Sequence, residues 1–229
     1  MRHGARLFAS PDLPDHPELS QLSLVRPEQI CRTLDRHADD WVPQLSDAQV
    51  TAFSEPLDVV LQYAFRWRVP TNHIACEVLS TWPVPLRAAM RRTGLGRFCV
   101  TQKADPQNIH DVYRCTNARP EDWIMVGTHD TESVWSLIEA RQGQPWVELR
   151  SHYLAELLIS DGTKRSQFAE QLEAHPGCMV EAMFAELFVS EARNVSIFWG
   201  DLVGSAARYN RPGVVDQENW ATRLPHDWS

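Results

Sequence analysis

Apolar residues in this chain recur in two rhythms. In Trp123-Ile124-Met125-Val126-Gly127-Thr128-His129-Asp130-Thr131 four apolar residues run into a glycine, a hydroxyl, an imidazole and a carboxylate. That is the form of a buried strand presenting polar groups at its C-terminal end. His73-Ile74-Ala75-Cys76-Glu77-Val78-Leu79 has the same form with one acid. Arg97-Phe98-Cys99-Val100-Thr101-Gln102 predicts a third strand, and Val195-Ser196-Ile197-Phe198-Trp199 a fourth that ends on Gly200-Asp201.

Between the strands the spacing changes to 3.6 residues. Val50, Phe53, Leu57, Val60, Leu61 and Ala64 follow Ser46-Asp47-Ala48-Gln49, a hydroxyl-x-x-Gln capping box, and predict a long amphipathic helix ending near Arg68. Helices are also predicted from Pro83 to Arg92, closed by Gly94, from Glu132 onward, and over Ala155–Ile159, Ser166–Ala174 and Met179–Ala192. His175-Pro176-Gly177 separates the last two. Near the start, Pro27-Glu28 opens a helical pattern through Ile30, Cys31, Leu34, Ala38 and Trp41. Ser10 to Pro17, with prolines at 11, 14 and 17, predicts an extended loop or exposed tail. The stretch from Arg208 to Trp220 is loop-like and rich in groups that bind hydroxyls.

Strands that alternate with helices imply an α/β protein with a parallel sheet, either doubly wound or an arc of a barrel. No glycine-rich phosphate loop follows a strand, which removes the main reason to prefer a nucleotide-binding fold. Polar residues at three strand ends favour the barrel, where sites are built at the carboxyl ends. Residues 1–69 read as an extended loop plus a helical segment placed before the Glu77 strand, and residues 70–229 as the strand-and-helix body.

Composition narrows the chemistry. A net charge of -8 argues against nucleic acid, which needs clustered Lys and Arg. Five cysteines at wide spacing without a CxxC fit reduced thiols in a cytoplasm better than a disulfide frame or a zinc knuckle. Neither a signal peptide nor an apolar run of membrane length is present, so a soluble cytoplasmic protein is expected. Nine tryptophans and four tyrosines are many for this size; core and interface anchoring explains most of them, and sugar stacking is the other reading.

Glu77 and Asp130 are the candidate reactive groups. Cleaving a glycosidic bond takes one carboxylic acid to protonate the leaving oxygen and a carboxylate on the other side. Ile74, Ala75, Cys76, Val78 and Leu79 surround Glu77 in sequence, which predicts a raised pKa suited to an acid. Asp130, beside Thr128 and His129, has the polar setting of an ionised group. A plain ion-pair role for Glu77 stays open. An HD-type metal hydrolase needs further histidines and acids at helix spacing that the chain lacks, and His37-Ala38-Asp39-Asp40 reads as charges on the outer face of a helix.

Taken together, several segments resemble the 4-alpha-glucanotransferases (amylomaltase, disproportionating enzyme; glycoside hydrolase family 77). Val126-Gly127-Thr128-His129-Asp130-Thr131 resembles the family's GTHD segment, and Ala75-Cys76-Glu77-Val78-Leu79-Ser80-Thr81 its AEDLG segment with the acid kept. Arg92-Thr93-Gly94-Leu95-Gly96 fits the helix end that follows. Trp199-Gly200-Asp201-Leu202-Val203-Gly204 is similar to QDLLG, and Asn210-Arg211-Pro212-Gly213 with Asn219-Trp220 to the closing NxPG and NW. Order and spacing agree over roughly residues 70 to 224.

The resemblance implies a (β/α)8 barrel and retaining transfer of α-1,4-glucan segments between maltooligosaccharides. Glu77 then matches the acid/base and Asp130 the carboxylate that stabilises the transition state. Thr128, His129, Trp135, Asp201, Asn210 and Pro212 match substrate-binding positions. Neither a metal nor a cofactor is implied, because carboxylate chemistry needs none.

Two departures stand out. Val78 replaces the Asp after the acid, and the family's R-x-D-H segment, which carries the nucleophile, is absent. Asp15-His16 is a DH pair without a preceding apolar run. The chain therefore reads as the C-terminal half of such a barrel, with about four of its strands. Two open sheet edges would leave it inactive alone, poorly soluble or dependent on a companion half. The alternative is a non-catalytic glucan-binding or interaction module that retains Asp130, His129, Trp135 and Asn210. Hydrolysis in place of transfer would depend on how well water is excluded.

Overall fold

The computed structural model describes residues 20–35, 38–78 and 82–223. The proline-rich stretch 10–17 with Asp15 and His16, His37 of the acidic cluster and the 79–81 end of the Glu77 segment lie outside the described residues. The chain divides into two compact units, Met1–Gly96 and Arg97–Ser229. The boundary expected after residue 69 falls inside the first.

The first unit gathers Val25, Trp41 and Val42 into a small core flanked by Ile30, Ala38, Leu45 and Phe53. The helix expected through Ile30 to Trp41 does not form. Pro27–Gln29 is a single 3-10 turn, and Cys31 N–H donates to the Trp41 carbonyl at 2.8 Å, folding the stretch back on itself. Burying Trp41 and Val42 requires that reversal, and the aspartates hold it. Asp39 accepts from Trp82 N–H at 2.6 Å, and Asp40 pairs with Arg87. These two aspartates are thus loop anchors, not the outer face of a helix, as short acidic side chains that compete for backbone donors tend to be.

Helix α1 (Asp47–Arg66) starts where its capping box predicts. Ser46 Oγ accepts from Gln49 N–H, and the Gln49 side-chain Oε1 accepts from Ser46 N–H. Its apolar stripe is half-buried, and Val60 is exposed. Beyond a 3-10 turn, β1 (Ala75–Cys76) is two residues long. Helix α2 (Val84–Thr93) packs on α1, and the Arg92 guanidinium binds both carboxylate oxygens of Asp58 at 3.0 and 2.8 Å. Gly94 at φ 69° ends α2 in the left-handed conformation predicted for it.

Strands β2 (Gly96–Val100), β3 (Trp123–Met125) and β4 (Asn194–Val195) pair in parallel, with Cys99 opposite Ile124 and Ile124 opposite Val195. Between β3 and β4 run α3 (Val134–Arg141), α4 (Pro145–Leu158), α5 (Gly162–Ala174) and α6 (Pro176–Phe188), and α7 (Trp199–Leu202) follows β4. This is the α/β arrangement that the alternating pattern predicts. Ile124, Val126, Ile138, Leu154, Leu172, Met179, Met183 and Leu187 form the core of the second unit.

Several boundaries differ from expectation, among them the start of α5, at Gly162 and not Ser166. Helix α4 begins at Pro145, ten residues before Ala155. Its inward face carries Arg150, fully buried and paired with the fully buried Glu186 of α6, so a charge interrupts the apolar period. Helix α6 ends at Phe188, short of Ala192. β4 stops at Val195 because α7 already begins at Trp199, although Ser196 N–H still donates to the Ile124 carbonyl at 2.9 Å. No helix among the described residues is long and apolar enough to cross a membrane.

Candidate functional site

Past the end of β3, the backbone from Gly127 to Thr131 closes into a turn held by its own hydroxyls. Thr131 Oγ accepts from Thr128 N–H and donates to the Thr128 carbonyl, both at 2.9 Å, and Thr128 Oγ accepts from Asp130 N–H at 3.2 Å. Thr128 is buried and serves the turn. His129 and Asp130 face outward, with side chains 41% and 25% exposed, and His129 Nε2 lies 3.2 Å from Asp130 Oδ1.

The segment after α7 returns to this turn and grips it. Asn210 N–H donates to the His129 carbonyl at 3.1 Å, and Asn210 Nδ2 donates to Asp130 Oδ1 at 2.6 Å. Arg208 donates to the carbonyls of Asn210 (3.1 Å) and Asp130 (3.4 Å). Trp220 lies over His129, ring centroids 4.9 Å apart, with its own N–H donating to the Tyr209 carbonyl. It is 56% exposed and sits at φ 61°, a left-handed backbone that a tryptophan rarely adopts. Pro212 lies in an exposed loop pinned by Asn219, which accepts from Arg211 N–H and donates to the Val214 carbonyl.

Asp201 and Trp135 lie beneath the turn. Asp201 is 1% exposed, and its Oδ1 accepts from Val134 N–H at 2.8 Å, capping α3. Its backbone carbonyl accepts from the Trp135 indole N–H at 2.8 Å. Burial pushes the Asp201 carboxyl up to about 6, against the lowering effect of the Val134 N–H. Gly127 is required by crowding: a Cβ there would lie 2.6 Å from Gln102 Oε1, 2.7 Å from Thr131 Oγ and 3.3 Å from Asp201 Oδ2.

The second unit thus brings together His129, Asp130 and Asn210, with Thr128, Trp135 and Asp201 in support. Glu77 belongs to the first unit. It lies just past β1, exposed, next to exposed Ala75 and half-buried Cys76 and Val78, so the apolar enclosure expected from its sequence neighbours is not found. The strand there is two residues long, and alternation sends neighbouring side chains to opposite sides. Among the described residues no group of three His, Cys, Asp or Glu is placed to hold a metal ion.

Trp220, Gln102 and Arg208 join this site without having been singled out for it. Trp220 has a signal in its Asn219-Trp220 pair. Gln102 and Arg208 are ordinary polar residues at a strand end and in a loop, and nothing local marks them.

Comparison with known proteins places the chain in a family. No curated protein matches the chain. Among solved structures, amylomaltase from Streptococcus agalactiae in complex with acarbose is similar at 17% identity and a TM-score of 0.46, over 67% of this chain and 28% of that one. The chain thus spans less than a third of that amylomaltase's length. The family profile described as 4-alpha-glucanotransferase matches residues 38–227, most of the chain, which therefore belongs to the 4-alpha-glucanotransferase family, glycoside hydrolase family 77.

Proposed function

We propose that this chain takes part in the transfer of α-1,4-glucan segments between maltooligosaccharides by a retaining mechanism, with Glu77 as acid/base and Asp130 as the carboxylate that stabilises the transition state. The observation that carries the reading is the His129–Asp130–Asn210 group. A carboxyl group, an amide and an imidazole sit together at a strand end, with the His129 and Asp130 side chains partly open to solvent. Carboxylates that bind sugar hydroxyls more tightly in the oxocarbenium-like state lower the barrier to glycosyl transfer. Asn210 Nδ2 on Asp130 Oδ1 fixes one oxygen and leaves the other for a hydroxyl. Trp220, exposed and tilted 41° against the His129 ring, offers a face for a pyranose ring.

Glu77, exposed beyond β1, is free to meet a leaving-group oxygen. It would protonate that oxygen in the first half-reaction and take a proton from the acceptor hydroxyl in the second. No R-x-D-H segment supplies a nucleophile. The reading therefore assigns the nucleophile to a companion carrying the rest of the barrel, and the glucan-binding module remains the second reading.

Titration of maltoheptaose against the chain, followed by tryptophan fluorescence, tests the site. Asp130→Ala and Asn210→Ala are expected to abolish or strongly weaken the quench, and Glu77→Gln to leave it in place. Unaltered binding in both site variants would remove the Asp130 group from the glucan site.

A further inference from the structure

Beneath the glucan-facing turn two buried oxygens have no hydrogen-bond partner among the described residues: Gln102 Oε1 and Asp201 Oδ2. Both face Gly127, as the close approaches to a Cβ built there record. The rest of each side chain is committed. Gln102 Nε2 donates to the Glu132 carbonyl at 3.2 Å, so the amide cannot turn its nitrogen toward Asp201 without losing that bond. Asp201 Oδ1 takes the Val134 N–H. Two acceptors facing one buried spot leave two orphaned lone pairs, an arrangement that costs stability unless a proton stands between them.

We propose that Asp201 is a positioning residue working as a proton-controlled brace: neutral, it donates Oδ2–H to Gln102 Oε1 and holds the Gly127–Thr131 turn that carries His129 and Asp130; ionised, it sets two acceptors against each other beneath Gly127 and loosens that turn. The inference deepens the proposed function and rests on it, since the turn is the assigned glucan site.

The groups around Asp201 suit such a brace. The Val134 N–H that donates to its Oδ1 is uncharged, and so is the Gln102 amide, whose Oε1 lies with Asp201 Oδ2 on the same side of Gly127. The nearby titratable groups are engaged elsewhere. Asp130 Oδ1 is taken by Asn210 and His129, and Lys103 lies 5.9 Å from the centre of the Tyr113 ring. Arg208 donates to backbone carbonyls, and exposed Glu132 meets Gln102 through its carbonyl. Burial outweighs the Val134 N–H, the one group that favours the anion there, and raises the carboxyl from the ordinary 3.8 to about 6. Because the folded value lies above the unfolded one, the stability that the proton confers is fully present below pH about 3.8. It is lost as pH rises through about 6.

Asn at position 201 imitates the neutral acid permanently, with an oxygen for Val134 N–H and an amide N–H for Gln102. The test compares wild type, Asp201→Asn and Asp201→Ala by thermal melting between pH 4.5 and 8, and by fluorescence titration with maltoheptaose at the same pH values. Wild type is expected to melt closest to Asp201→Asn at pH 4.5 and to fall behind by several degrees as pH rises to about 6, levelling off by pH 7, while Asp201→Ala melts below both throughout. Maltoheptaose affinity is expected to weaken severalfold across that interval in wild type and to stay level in Asp201→Asn. If Asp201→Asn melts as low as Asp201→Ala at every pH, the carboxylate is needed ionised and the brace is overturned. If the melting pattern appears but maltoheptaose does not bind at any pH, the glucan assignment fails while the proton's place stands. Parallel binding curves for wild type and Asp201→Asn above pH 6 would confine Asp201 to stability and overturn its control of the site.

Discussion

Gly127 shows how much of the site is decided by one missing side chain. Its Cα is crowded by Gln102, Thr131 and Asp201, and Thr131 cannot retreat because both its hydrogen bonds close the turn. Gly127→Ala is expected to cost about 1–3 kcal/mol, the usual penalty for overpacking. Chemical denaturation would measure it, and maltoheptaose affinity should fall in parallel. At Trp220 the prediction separates binding from folding. Its ring is exposed, so Trp220→Ala should leave the melting temperature nearly level while removing about 0.5–1.5 kcal/mol of glucan affinity. The thiols offer a further check. Thr33 lowers the Cys31 thiol through a hydrogen bond from its hydroxyl, whereas burial pushes Cys99 up to about 12 and Cys115 to about 11. Iodoacetamide at pH 7.5 should label Cys31 first and reach Cys99 and Cys115 after unfolding, an order that peptide mass spectrometry reads directly.

Among the elements, those whose signals are local are legible in the sequence. The Ser46 capping box, the Gly94 stop and the His175-Pro176 break, where one residue ends α5 and begins α6, all stand where residue chemistry puts them. The apolar run into Gly127-Thr128-His129-Asp130 likewise predicts both β3 and the polar turn after it. Elements fixed by distant partners are not legible. Helix α4 hides its first ten residues because Arg150 occupies a core position that makes sense only opposite Glu186, thirty-six residues on. The stretch from Ile30 to Trp41 has a helical period, yet the bonds from Asp39 to Trp82 and from Asp40 to Arg87 turn it into a loop. Glu77 has apolar neighbours on both sides in sequence, but beside a two-residue strand it is exposed.

The Arg150–Glu186 pair gives the sharpest test at this scale. Glu186→Ala strands a buried guanidinium and should cost about 3–5 kcal/mol, whereas replacing both residues with Met and Leu should lie within a kcal/mol or two of wild type. Equal losses from the single and double variants would show that the helices do not depend on the pair's balance.

For the whole chain, the exposed surface carries an expectation: the described residues leave large apolar side chains in water at the end of α1. Phe65 is 86% exposed and Trp67 72% exposed, with Val59, Val60 and Tyr63 nearby on the helix. Patches of that kind favour association. Phe65→Ser with Trp67→Ser is expected to raise the soluble concentration without lowering the melting temperature.

The proposed acid/base role of Glu77 in glucan transfer is tested by mixing the purified chain with a companion fragment of a family member that carries the R-x-D-H strand but ends before the acid/base strand, and incubating the pair with maltotriose. Glucose together with longer maltooligosaccharides is expected from the pair, no transfer products from either piece alone, and loss of those products with Glu77→Gln. A folded, maltoheptaose-binding pair that yields no longer products, or one in which Glu77→Gln changes nothing, would contradict it.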